Sequence, residues 1–421
     1  IPTRRNEAVG GVLADGSERW FYIDGACEIA LPAGAPLRIQ SAKGPVYRPI
    51  DESVTLGAGQ MALRFAISKK ADSRESGCLA VDTRCHFLSP HDALLEAAAE
   101  DLDVVNLLAT VQLLPSIDGT AYPTAPNLLA FSGQQPALEA AGRAVIVNTL
   151  NIHPVLGKVA LLNSHRPVFP LTFGGEETDD WGICDWCDQC HRKGGLVVWV
   201  DAFEPAGGLV GGEALVAAIL GKVDAIEIAA APRKVPLLPW LYRLWNAGVL
   251  IPLVGASGKD SNRLRLGAMR THAIPAAGET WIDAVRAGCS TVSSGPLLAI
   301  TGEKGLCCVS VGNCDVPGTV EMIANGEVIA ADSTSTGTAF EKFDGPGWVA
   351  GRCSRGAAFA HTPAMAVGAT VRVSRAVESL VKLIGHTREW AAAHGRYANP
   401  KHREQLLRRC DEAIARLESK P

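Results

Sequence analysis

The chain reads as an α/β protein: a parallel, barrel-like sheet covered by helices, flanked by a β-sandwich-like region and C-terminal helices. Three observations predict this. From about residue 79, short apolar runs alternate with amphipathic stretches of helical length. The apolar runs are nearly continuous, as expected of strands buried on both faces. Residues before 79 and between 296 and 373 instead show short runs separated by Gly, Pro and Asp turns.

In order, Trp20–Ile23, Glu28–Leu31, Leu37–Gln40 and Met61–Ile67 predict an N-terminal β domain over residues 1–78. Residues 79–295 carry the barrel. Strand Ala80–Phe87 precedes a helix near His91–Asp101 and strand Val104–Ala109. Strands Ala144–Val147 and Val159–Asn163, helix Asp179–Lys193 and strand Leu196–Val200 follow. Helix Gly212–Leu220, strand Ala225–Ala229, helix Pro236–Ala247 and strand Leu250–Val254 complete the alternation. Leu297–Ile300, Cys307–Val311, Val320–Ala324, Trp348–Cys353 and Ala369–Val373 predict a C-terminal β region over 296–375, able to pack with the first domain. Asn325-Gly326 between two apolar runs signals a hairpin. Residues 376–421 read as a helical tail of two helices broken at Arg396–Lys401. A chain of 421 residues exceeds the roughly 250–300 that one core supports, which agrees with several units.

Composition narrows the function. Forty Lys and Arg stand against 44 Asp and Glu, a net charge of -4, so neither nucleic acid nor an anionic membrane is an expected partner. The longest apolar runs, Gly195–Val200 and Val249–Val254, are far short of the roughly 20 residues that span a bilayer. A cytoplasmic protein acting on a small molecule is the expectation, and an oligomer is compatible with it. A start at Ile1 would also fit a processed or truncated chain, periplasmic or secreted if a signal peptide had been removed. Twelve Cys are expected to be reduced, buried thiols. Among them Cys184, Cys187, Cys190 and His191 form a Cys-x-x-Cys-x-x-Cys-His run, read as thiols on a packed helix face and not as a metal or haem site.

The strongest local feature is Asp82-Thr83-Arg84-Cys85-His86-Phe87-Leu88-Ser89-Pro90, at the end of an apolar strand. Asp and His at i and i+4 on a strand mouth offer oxygen and nitrogen ligands to a divalent metal, although such a pair also occurs as a structural hydrogen bond. His165 follows another strand, and Ser257–Asn262 reads as a catalytic-face loop carrying Asp260. His361 is expected to be structural.

The Asp82–Pro90 segment resembles the Asp-Thr-His-x-His opening strand of the PHP (polymerase and histidinol phosphatase) superfamily, in its CehA/McbA-like branch. Leu94–Leu108, Gly194–Trp199, Gly212–Ala214, Leu220–Glu227, Trp240–Tyr242, Leu250–Asn262, Arg270-Thr271 and Gly295–Leu298 are similar to further segments of that branch, in the same order. The resemblance implies a distorted β/α barrel and a metal-dependent hydrolase of a small amide, ester, carbamate or phosphoester. It also exposes departures. Arg84 stands at the first His of His-x-His, Lys158 where a His is usual, and Asp201 where another His is common. Leu150 or Asn151 falls near the expected metal-bridging Glu. Two expectations follow. One ion (Mn, Fe, Zn or Mg) is held by Asp82, His86, Asp201 and Asp260, with His165 or Glu213 carrying the proton. Alternatively Arg84 and Lys158 replace the metal by pairing with Asp82 and Asp201 or by binding an anion, because guanidinium and ammonium offer only donors. The second leads to an inactive binding or assembly module for carbohydrate or protein, with exposed Trp available for stacking.

Overall fold

The computed structural model describes residues 8–57, 59, 62–70, 77–115, 121–175, 178–231, 233–303, 306–312, 318–333, 338–343, 345–369 and 371–419. Its centre is one large mixed sheet. From one end, its strands run Leu253–Ala256, Ala225–Ala229, Leu196–Val200, Gly157–Leu162, Arg143–His153, Val104–Ala109, Leu79–Cys85, Arg270–Ala273 and Ser290–Ser293. Ala358–His361, Gly347–Arg355, Thr319–Ala324 and Glu327–Asp332 continue the same sheet.

The expected barrel is not formed. Arg143–His153 and Gly157–Leu162 make an antiparallel hairpin inside the sheet, which breaks the parallel pattern. The strand that would close a barrel, Leu253–Ala256, has no ladder to Leu79–Cys85. It meets it through a Thr83 hydroxyl that donates to the Gly255 carbonyl (3.0 Å) and a single bridge between Cys85 and Lys259. At the other end, Ser290–Ser293 pairs with Ala358–His361, so the C-terminal strands extend the sheet and leave it open. A run of β–α units fixes strands and helices, but it does not say which strands share a ladder.

Seven α-helices occur among the described residues: α1 Pro90–Glu100, α2 Ile183–Arg192, α3 Gly212–Ile219, α4 Leu238–Asn246, α5 Trp281–Arg286, α6 Ser374–Ala393 and α7 Pro400–Glu418. Their ends follow local chemistry. Ser89 accepts from the Asp92 N–H (3.1 Å) and Pro90 opens the first turn of α1. Thr280 and Asp283 form a capping box on α5, and Asn399 with Pro400 begins α7. The α2 helix turns Ile183, Cys184, Trp186, Cys187 and Cys190 into the core, where Trp199, Trp245 and Trp348 are also fully buried. Among the described residues no helix is long and apolar enough to cross a membrane.

Asn325 and Gly326, both at positive φ (51° and 94°), turn the Thr319–Ala324 and Glu327–Asp332 hairpin as predicted. Three expected strands are absent among the described residues. Glu28–Leu31 and residues 62–67 form no ladder, since an apolar run needs a pairing neighbour, and Met61 lies outside the described residues. Residues 371–373 are also irregular, because the Val373 N–H donates to the Asn246 carbonyl (2.8 Å) and the chain then enters α6.

Candidate functional site

The candidate site lies at the ends of the Leu79–Cys85, Leu196–Val200 and Ala225–Ala229 strands, with the loop after Leu253–Ala256 above it. Asp82 and Arg84 leave the same strand two residues apart, Asp82 just before a bulge and Arg84 within it, ahead of Cys85. The Arg84 side chain is buried against Glu227. Its Nε donates to Glu227 Oε2 and its Nη2 to Oε1, both at 2.7 Å. This bidentate geometry is the strong form of an ion pair. Burial works against the Arg84 charge, but Glu227, with Asp201 and Asp82 beyond it, outweighs burial and holds its pKa above the usual guanidinium range. Gly258 passes over the group: at φ +64°, an added Cβ would sit 3.1 Å from Arg84 Nη2.

Asp82 is fully buried and faces three backbone donors. Oδ1 accepts from Arg84 (3.1 Å) and Ser257 (3.0 Å), and Oδ2 from Gly267 (2.8 Å). Burial raises its pKa and these N–H groups oppose the rise. Asp82 therefore pins the Ser257 and Gly267 loops. His86 donates from Nδ1 to the Leu108 carbonyl (3.1 Å), which leaves Nε2 unprotonated, 3.4 Å from Arg84 Nη1. Burial and the Arg84 charge lower its pKa to about 3. At the mouth, strand Leu196–Val200 is followed by Asp201 at φ 51°, a conformation Asp tolerates. Asp201 accepts from Lys158 Nζ at 2.6 Å, with side-chain exposures of 31% and 41%. Burial would raise the Asp201 pKa, but Lys158 and Arg84 bring it below the usual value.

The structure thus gathers Asp82, Arg84, His86, Lys158 and Asp201, and adds Glu227. Three expected residues are elsewhere. Asp260 is exposed, because the loop turns its neighbour Lys259 inward to Glu96 Oε2 (3.2 Å) and the Leu264 carbonyl (2.9 Å). Glu213 is buried at the start of α3, where it accepts from the Ile183 (2.6 Å) and Cys184 (3.4 Å) N–H groups and from Arg409 (3.3 Å). It caps α2 and carries no proton at the site. His165 is exposed, and its Nδ1 donates to the Lys193 carbonyl (2.9 Å). The Asn151 amide, near the expected bridging position, donates to the Val168 and Pro170 carbonyls (both 2.9 Å). His191 turns away from the three buried thiols of α2 to pair with Asp224 (2.9 Å). The stacking tryptophans expected at a sugar site are not found, as no Trp among the described residues is exposed.

The residues expected to hold a divalent ion do not fit one as arranged. Asp82 is committed to backbone donors, Arg84 brings a cation to within 3.4 Å of the His86 lone pair, Asp201 is paired with Lys158, and Asp260 is outside. Glu227 is the residue that sequence reading missed. Its signal was visible: one carboxylate inside the apolar run Ala225–Ala229, where Glu is seldom buried unless paired.

No family model, no curated protein and no solved structure matches this chain.

Proposed function

We propose that the chain is a non-hydrolytic binding module for a small, neutral, hydrogen-bonding molecule held at the strand ends around Arg84, His86, Lys158 and Asp201. The observation that carries this reading is the one-to-one pairing of charge, Arg84 with Glu227 and Lys158 with Asp201. A charged ligand would have to displace a partner from one of these pairs. A neutral polar ligand can accept from the Lys158 ammonium and donate to the Asp201 carboxylate at the exposed mouth with both pairs kept. On this reading the PHP resemblance marks descent from a metallohydrolase, with the Arg84 guanidinium taking over as the fixed positive charge. Hydrolysis calls for an activated water or a base with a pKa near the working pH. The ligand positions are otherwise engaged, and a His86 pKa of about 3 makes it a poor base near neutrality.

Saturation-transfer NMR on the full chain tests this, with neutral sugars and polyols beside their phosphorylated or carboxylated counterparts. Transfer to a neutral compound that is lost in Lys158→Ala is expected. Binding of the anionic compounds alone would overturn the reading. So would ester, amide or phosphoester turnover that is abolished by His86→Gln.

A further inference from the structure

A groove lies on the other side of the sheet from the Arg84 cluster. Alternation puts Glu227 toward the Arg84 cluster and its neighbour Ile228 toward α4 and the C-terminal strands. There Ile228 lines a groove of about 730 Å³ between α4 and the Asn325-Gly326 turn. That size suits an organic ligand, since small-molecule pockets run to roughly 300–1,000 Å³. Leu237, Leu238, Pro239 and Phe359 give it an apolar floor.

The charge in this groove runs against the chain. The protein carries a net charge of -4, yet the charged residues lining the groove are Arg233, Arg243 and Arg352 against Glu327 alone. Two of the three arginines are held in place. Arg352 Nε donates to Glu321 Oε2 (2.7 Å), close to the Tyr242 hydroxyl. That hydroxyl lies 2.8 Å from His361 Nε2, while His361 Nδ1 donates to the Thr362 carbonyl (2.6 Å). Arg233 donates to the Ala202 carbonyl and lies 3.5 Å from Glu204. Arg243 differs. Its guanidinium lies 4.5 Å from the Trp240 ring centroid, and among the described residues no carboxylate pairs with it. A guanidinium positioned by an aromatic face and keeping its N–H groups open is suited to a carboxylate, sulfonate or phosphate.

We infer that this groove is a ligand site for an amphipathic organic anion, with the apolar ring on Ile228, Leu238 and Phe359 and the anionic group on Arg243. The inference is independent of the Arg84 site and stands if that reading fails.

Fluorescence titration of the full chain with 8-anilinonaphthalene-1-sulfonate tests it. Saturable one-to-one binding is expected, weakened at least tenfold in Arg243→Glu and unchanged in Arg166→Glu, a substitution at an exposed position on another loop. Arg243 is exposed on α4, so its variant is expected to fold, and far-ultraviolet circular dichroism checks this. Equal affinity in Arg243→Glu would overturn the inference. So would the absence of a saturable site, or competition by a neutral naphthalene as strong as that by the sulfonate.

Discussion

Glu227→Gln is expected to destabilise the protein by about 3–5 kcal/mol, because it leaves the Arg84 charge buried without its partner. The side chains of Arg84 and Glu227 are 10% and 1% exposed, so water does little to screen the loss. Arg84→Met should cost a similar amount by stranding the Glu227 carboxylate. The double variant Arg84→Met, Glu227→Leu should recover most of that loss, since a buried pair is often replaceable by apolar side chains of similar volume. A double-mutant cycle by urea unfolding measures the coupling directly. Lys158→Ala provides the contrast. Its pair is partly exposed, and such pairs contribute roughly 0.2–1 kcal/mol. Single variants at Arg84 and Glu227 that unfold within about 1 kcal/mol of the parent would show that the pair does not organise the strand ends.

The second large effect is expected at Glu213. Glu213→Ala removes three contacts at once: the two N–H groups opening α2 and the Arg409 guanidinium. Burial raises the Glu213 pKa, and Arg409 is the main group opposing that rise. Arg409 keeps Asp185 as a second partner at 2.6 Å, so its charge is not wholly orphaned. Loss of a buried charge partner together with a helix cap predicts about 3–5 kcal/mol, read as a lower urea midpoint. Glu213→Gln should lose less, since an amide oxygen still accepts from Ile183. Equal losses in the two variants would mean that the cap, the contact shared by the parent and the Gln variant, is not what Glu213 supplies.

The sequence made much of the architecture legible and much less of the site. Strands Leu196–Val200 and Ala225–Ala229 are found where predicted, because a continuous apolar run flanked by helices has few other solutions. The ladder order was not legible. It depends on the Arg143–His153 hairpin and on strands from beyond residue 296 joining the same sheet. At the site, the expectation that Arg84 and Lys158 pair with Asp82 and Asp201 is met in half: Lys158 pairs with Asp201, whereas Arg84 turns to Glu227 and leaves Asp82 to backbone N–H groups. Asp260 and Glu213 went astray for different reasons. The partner that draws Lys259 inward in place of Asp260 is Glu96 on α1, and the partner that holds Glu213, Arg409, lies 196 residues away. No local pattern carries a contact of that range.

The Arg84–Glu227 guanidinium–carboxylate pair stands at the strand ends where a divalent ion was expected. Elemental analysis of the full chain, purified from medium supplemented with Mn, Fe and Zn, tests it most directly. Well under one equivalent of each metal is expected, with the wild-type unfolding midpoint unchanged by chelator. One or more equivalents of bound metal, removed by chelator with loss of stability and lost again in His86→Gln, would contradict the account.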